Sequence, residues 1–193
     1  ANNDSFSTNE DVSANFNILS NDNDPDGSIV SSTVDLDPAT AGQQTSLSLG
    51  AGNLSVNPGG VLSYTPAPNY HGAFSIQYTV QDNSGLTSNV ATVTITVNSI
   101  NDAPVANQDV ASTDEDTPVS FSIVSNDTDV DGTIDPSTVD MNPALAGQQT
   151  SITPTSGTVT VDASGVVTVS PNANYNGSES GALTIRAWDQ TSG

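Results

Sequence analysis

Apolar and polar residues alternate with a period of two along most of this chain. Ile76, Tyr78 and Val80 share one face of 75–80, and Val93, Ile95 and Val97 alternate with threonines in the next run. Val159 and Val161, then Val167 and Val169, repeat the arrangement further on. Threonine and β-branched residues dominate these runs, the composition of half-buried strands. Turn clusters separate them: NPGG at 57–60, DNSG at 82–85 and DASG at 162–165. Only 38–46 and 143–151 have room for a helical turn. The pattern predicts an all-β protein with strands near 4–9, 13–19, 29–36, 45–56, 61–65, 74–81 and 89–98.

The same text then runs a second time. SNDNDPDG at 20–27 returns as SNDTDVDG at 125–132, 105 positions later, and that offset holds without a gap from Asp4/Asp109 to Gly72/Gly177 with about half the positions identical. Fixed-period similarity at this length marks tandem copies of one domain. Each copy has roughly 90–105 residues, enough for its own core. Seven short strands with regular turns suit a Greek-key sandwich of immunoglobulin type. Residues 1–104 form the first copy, closed by a short linker, NDAP at 101–104, and residues 105–193 form the second. The second matches as far as DQTSG at 189–193 and holds nothing like the last strand of the first, LTSNVATVTITVN. One sheet edge is therefore expected to stand open. Either the tail of the copy is missing, or a strand from another chain fills the gap.

Charge narrows the partners. There are 22 acidic residues against a single basic one, Arg186, for a net charge of −21. Such a surface repels nucleic acid and anionic membranes and attracts divalent cations. No cysteine is present, which excludes disulfides and thiolate zinc sites. Bound metal is another staple for a small extracellular domain. No apolar run approaches the ~18 residues of a membrane span, so membrane insertion is not expected. The start, ANNDSF, has neither the basic nor the apolar region of a signal peptide, and the chain reads as an internal fragment.

The acidic residues gather in loops. Asp22, Asp24 and Asp26, like Asp127, Asp129 and Asp131, form Asp-x-Asp-x-Asp-Gly, a run of hard oxygen ligands suited to calcium. An EF-hand is excluded, because its twelfth position is Thr33 or Thr138 and no helices flank the loop. A solvated turn that uses Asp and Gly for turn chemistry alone is the competing reading. Counting strand directions puts Asp82 beside the first loop, and Glu10, Asn101 and Asp102 at the opposite end of the copy. Stacked end to end, two copies would bring Glu10, Asn101 and Asp102 together with Asp127, Asp129, Asp131 and Asp189. Carboxylates ~4 Å apart repel by about 1 kcal/mol even in water, so the cluster calls for cations. Asp4, Asp109, Asp11 and Asp116 are weaker ligand candidates.

These motifs in fixed order resemble the bacterial cadherin-like or immunoglobulin-like repeats of large Gram-negative surface adhesins. They are NDAP, an acidic pair, NDxDxDG, PxxNYxG, and a strand ending in Asp with Ser-Gly after it. NDAP is similar to the cadherin inter-domain linker, Asp127-x-Asp129 to the cadherin DxD, Glu10 to its early glutamate and Asp189 to its late aspartate. The resemblance implies calcium between domains, neighbouring repeats as partners, and a role in adhesion and biofilm at the bacterial cell surface. The linker lacks the leading aspartate and middle asparagine of the cadherin pattern, and DPATAGQQTS and NPALAGQQTS are not cadherin-like.

Catalysis has little to work with. There is no lysine, no cysteine and no Gly-x-Ser-x-Gly elbow, and the one histidine, His71, has Asn176 as its counterpart. Tyr70 and Tyr175 read as tyrosine-corner-like tethers. Trp188 beside Arg186 is the one weak candidate for stacking on a sugar or holding a protein partner. The alternative function is thus a carbohydrate- or protein-binding β-sandwich.

Overall fold

A computed structural model describes residues 1–178 and the backbone of 186–189. The chain divides into two units, Ala1–Ile100 and Asn101–Gly193. The division falls ahead of NDAP, whereas the sequence pattern sets it after Pro104. Hydrogen bonds explain the difference. Val105 exchanges backbone bonds with Thr128 in both directions, at 2.8 and 3.1 Å, and the Asp102 N–H donates to Asp131. The linker motif is bound to the second unit.

The first unit has eight strands: β1 (Asp4–Asn9), β2 (Ala14–Asn17), β3 (Ile29–Asp35), β4 (Ser46–Leu49), β5 (Gly52–Val56), β6 (Val61–Pro66), β7 (Gly72–Asp82) and β8 (Ala91–Asn98). They form two four-stranded sheets, β1-β8-β7-β3 and β2-β6-β5-β4. The chain changes sheet after β1, β2, β3 and β6, which gives the Greek-key sandwich its connections. The run 45–56, expected as one strand, is a hairpin in which Leu49 pairs with Gly52. Gly52 makes the fold-back: its φ is 133°, and a Cβ there would stand 2.2 Å from the Thr65 carbonyl oxygen.

Period-two patterning sets the core. In β8, Ala91, Val93, Ile95 and Val97 all point inward and are at most 2% exposed. They meet Ile18, Val34, Leu36, Leu54, Leu62, Tyr64 and Tyr78. At about 1.5–3 kcal/mol per fully buried aliphatic side chain, Val93, Ile95 and Val97 contribute roughly 5–9 kcal/mol of transfer free energy. The tethering hydroxyls belong to Tyr64, which donates to the Ala51 carbonyl at 2.6 Å, and to Tyr78, which donates to the Ile18 carbonyl at 2.8 Å. Tyr70, expected to be the corner residue, packs edge-on against Phe74 with ring centroids 6.1 Å apart.

The second unit repeats one sheet of the first. Its strands are β9 (Val119–Ser122), β10 (Ile134–Asp140), β11 (Ser151–Ile152), β12 (Gly157–Val161), β13 (Val166–Pro171) and β14 (Arg186–Asp189). The order β11-β12-β13-β9 reproduces β4-β5-β6-β2, and β10 pairs with β14 as β3 pairs with β7. Residues 109–114 match β1 in sequence yet form no strand. β1 has one hydrogen-bonded neighbour, β8, which it meets in parallel, and the 193 residues contain no second copy of β8. A parallel edge strand cannot exist without its partner.

The DPATAGQQTS segments, which set these repeats apart, carry out one structural task twice. Gln43 Nε2 donates to the Ser32 and Val34 carbonyls, and Gln148 Nε2 donates to those of Ser137 and Val139. The backbone N–H groups of Gln44 and Gln149 then donate to Asp35 and Asp140. Each glutamine pair clips the loop to the strand before it.

Candidate metal centre

In the first unit the chain from β2 to β3 holds the Asp-rich loop. Asp22 accepts the Asn2 N–H at 2.6 Å on one oxygen and the Tyr78 hydroxyl at 3.0 Å on the other. Asp4, at the start of β1, is only 8% exposed, and its Oδ2 makes no hydrogen bond. Burial pushes its carboxyl up to about 6; the Tyr78 hydroxyl works against this and the Asp22 charge adds to it. Two carboxylates therefore share one corner with no cation beside them among the described residues.

Asp24 sits in a second corner. Its Oδ2 is buried and makes no hydrogen bond, while Oδ1 receives the Asp26 N–H at 3.5 Å. The Asn83 amide oxygen, which accepts the Ser28 N–H, approaches from the β7 side. A Cβ on Gly27 would stand 2.5 Å from both Asp24 Oδ2 and Asn83 Oδ1. Any larger residue at the motif's glycine would push these two side-chain oxygens apart. The glycine is absent from the residues of positive φ, as is Gly132, so the tight-turn argument does not hold for either. Two oxygen acceptors converge here, which suits a hard cation.

The second unit builds the same corners and adds a cover. Asp127 accepts the Asn107 N–H at 2.7 Å, just as Asp22 accepts that of Asn2. Burial and the charge of Asp127 push Asp109 upward, in the same direction as Asp4. Asp129 Oδ1 accepts the Gly132 N–H at 3.1 Å and the Asp131 N–H at 3.4 Å, while its Oδ2 is buried without a hydrogen bond. A Cβ on Gly132 would stand 2.8 Å from that oxygen. Over the loop lies the linker: the Asp102 N–H donates to both oxygens of Asp131, at 3.2 and 3.3 Å, and the Asn101 amide donates to the Asp102 carbonyl. Asp131 is half-buried under this cover. Asp26, its counterpart in the first unit, is exposed.

The remaining expected ligands have partners of their own. Asp82 Oδ1 accepts the N–H groups of Ser84 and Leu86, each at 2.8 Å, and so closes the turn after β7. Its neighbour Asn83 is the residue brought to Asp24, and the sequence pattern missed it because an amide does not stand out among aspartates. Glu10 is 4% exposed. Its N–H donates to Asn98, its Oε1 accepts the Ile100 N–H, and its Oε2 lies 3.9 Å from His71 Nδ1. Asp11 and Asp116 hold turns. Both have φ of 57°, and their carboxylates accept the N–H groups of Asn69 and Asn174 at 3.1 and 2.9 Å. Asp189 and Trp188 lie in β14, and their side chains fall outside the described residues.

The donor set present is carboxylate, amide and carbonyl oxygen, which fits calcium and offers nothing a zinc or copper ion prefers. Buried carboxylate oxygens without donors, at the same place in both units, are the observation behind that fit. A bound ion would be held in the second unit by Asp129 and Asp131 with the linker's Asn101 and Asp102. In the first unit Asp24 and Asn83 would hold it, beside Asp22 and Asp4.

Two Greek-key units written in one repeated pattern make this a tandem β-sandwich repeat protein. The profile of the bacterial cadherin-like domain matches residues 1–99, half of the chain, and that of the bacterial Ig domain matches residues 101–193. The chain belongs to the bacterial cadherin-like domain family. Modules of these two families are usually extracellular or surface-exposed adhesion and structural modules, and typically not enzymes. No helix among the described residues is long and apolar enough to cross a membrane. Among solved structures, the chain is similar to the crystal structure of Drosophila N-cadherin EC1-4 at 14% identity and a TM-score of 0.47, covering 98% of this chain and 44% of that one. It is also similar to the D00-D0 domain of intimin at 14% identity and a TM-score of 0.30, covering 100% and 96%. The chain spans less than half of the N-cadherin structure it matches. No curated protein matches it.

Proposed function

We propose that this chain is a pair of calcium-stabilised structural repeats from a bacterial cell-surface adhesin, and that its task is mechanical and not catalytic. The observation that supports this most is the recurrence of a buried, donorless carboxylate oxygen at Asp24 and at Asp129. A carboxylate desolvated in that way is costly unless paired. The chain contains no lysine and one arginine against 22 acidic residues, so the charge has to come from the medium. Ions bind the folded loops and not the unfolded chain, and they stabilise by RT ln(1 + [Ca²⁺]/Kd). Extracellular modules work with Kd on the order of 10⁻⁴–10⁻³ M. Through Asn101 and Asp102, the same ion fixes the path of the linker on the second unit. Repeats secured in this way, joined to neighbouring repeats of the same protein, extend an adhesive end away from the cell and support adhesion and biofilm.

Calorimetric titration tests the proposal. Calcium at 0.1–1 mM gives saturable heat with at least one site per unit, and magnesium at equal concentration gives much less, because it demands six near-ideal octahedral ligands. Flat calcium titrations up to 5 mM would exclude it.

A further inference from the structure

The Asp-rich loops offer oxygen alone, but at the far end of β1 a nitrogen stands beside the carboxylates. Glu10 is 4% exposed, and its Oε2 is buried and makes no hydrogen bond. His71 Nδ1 lies 3.9 Å from that oxygen, too far for a hydrogen bond. A carboxylate oxygen of Asp11 comes within 4.8 Å of one of Glu10. The backbone holds this group in place. The Glu10 N–H donates to the Asn98 carbonyl at 2.9 Å, and its Oε1 accepts the Ile100 N–H. The Asp11 carboxylate accepts the Asn69 N–H at 3.1 Å, which fastens the segment bearing His71 to the turn after β1. The second unit builds the same turn, with Asp116 accepting the Asn174 N–H at 2.9 Å. It carries Asn176 in place of the histidine, and its Glu115 is exposed. The nitrogen donor and the buried carboxylate thus meet in the first unit alone.

We propose that Glu10, His71 and Asp11 form a site for a divalent transition metal of the zinc class, separate from the calcium loops. The donor set decides the metal. Imidazole is a ligand of zinc, copper and nickel, whereas calcium takes oxygen. On a tetrahedral zinc with bonds of about 2.1 Å, neighbouring donor atoms stand about 3.4 Å apart. The imidazole reaches that separation by moving about half an ångström from its present distance. The His71 side chain is 53% exposed, so the ring has room for the movement and water has access to a fourth position. Glu10 Oε2 gains the partner it lacks, and the ion ties the turn after β1 to the entry of β7.

Zinc titration of the 193-residue chain in 5 mM calcium, at pH 7 in a non-chelating buffer, tests this. The chain has a single histidine, so its imidazole NMR signals report on His71 alone. One zinc per chain is expected, with those signals shifting in step with the calorimetric heat. His71→Asn is expected to weaken zinc binding at least ten-fold and to leave calcium binding unchanged. A melting temperature in EDTA equal to the parent's shows that the variant keeps its fold. Equal zinc affinity in parent and variant overturns the proposal, because the ion then sits on the acidic loops. Zinc displaced by 5 mM calcium overturns it too, because Glu10 and Asp11 are then calcium ligands. Imidazole signals that stay unmoved up to 1 mM zinc overturn it without recourse to any variant.

Discussion

Glu10 and Glu115 stand at the same place in the two repeats, in TNED and TDED, and meet opposite fates. Glu10 is buried, with its carboxylate on the Ile100 N–H and its backbone on Asn98. Glu115 is exposed. The end of β8 and the residues just after it hold Glu10, Asn98 through its carbonyl and Ile100 through its N–H. The Asp-rich loops behave in the reverse way: the second unit's is covered by Asn101 and Asp102, and the first unit's counterpart, Asp26, is bare. A ligand residue in a repeat protein is thus defined jointly by its own loop and by a neighbouring segment outside it. Identity at the acidic position does not suffice.

The strongest way to erase the contrast is to remove the strand that creates it. Val93→Asp places a charge at a fully buried position of β8. It is expected to cost more than about 4 kcal/mol and to make amides 4–9 exchange as fast as 109–114. Val110→Asp, at an exposed position, is expected to stay within about 0.5 kcal/mol. Next in size is the glutamate pair. Glu10→Gln weakens a charged hydrogen bond and is expected to destabilise the first unit by roughly 1–3 kcal/mol. Glu115→Gln is expected to change nothing measurable by chemical denaturation.

The loops separate by a smaller amount. Asp24→Asn and Asp129→Asn are each expected to weaken calcium binding about ten-fold, near 1.4 kcal/mol, each in its own unit only. Calorimetry showing both sites lost in either variant would contradict independent loops. The smallest effect is a pH dependence at Asp4 in chelator. Its carboxyl titrates at about 6 when folded against 3.8 in an unfolded chain. Between those values the native state holds a proton that the unfolded state has released. Stability therefore falls as pH rises from about 4 through 6. Asp4→Asn removes that slope, and is expected to stabilise at pH 7 by on the order of 1 kcal/mol, after allowance for solvent screening, and to match the parent near pH 4. Melting temperatures at the two pH values decide this.

Much of the fold was legible in the chain. Period-two runs located most strands, and the 105-residue offset gave the tandem. Where the reading failed, the cause was an interaction between segments. The 45–56 run changes phase at the hairpin, from Leu47 and Leu49 to Leu54 and Val56 across Gly50–Gly52, but the need for glycine at 52 arises from Thr65, a distant neighbour. Residues 109–114 look like a strand in every local respect and are not one, since parallel pairing depends on a partner far along the sequence. At the site, Asp24 and Asp129 were evident from spacing. Asn83 became evident only when β7 brought it to the loop; Asp4, a weaker candidate on sequence, is placed beside Asp22 by β1, and Asp82, which the spacing favoured, is engaged by its own turn.

The most direct test is differential scanning calorimetry of the 193-residue chain at pH 7, in 5 mM calcium and in EDTA at matched ionic strength. Calcium is expected to raise the melting temperature by several degrees, with EDTA reversing the shift and magnesium reproducing little of it. Superimposable thermograms in calcium and EDTA would contradict the account.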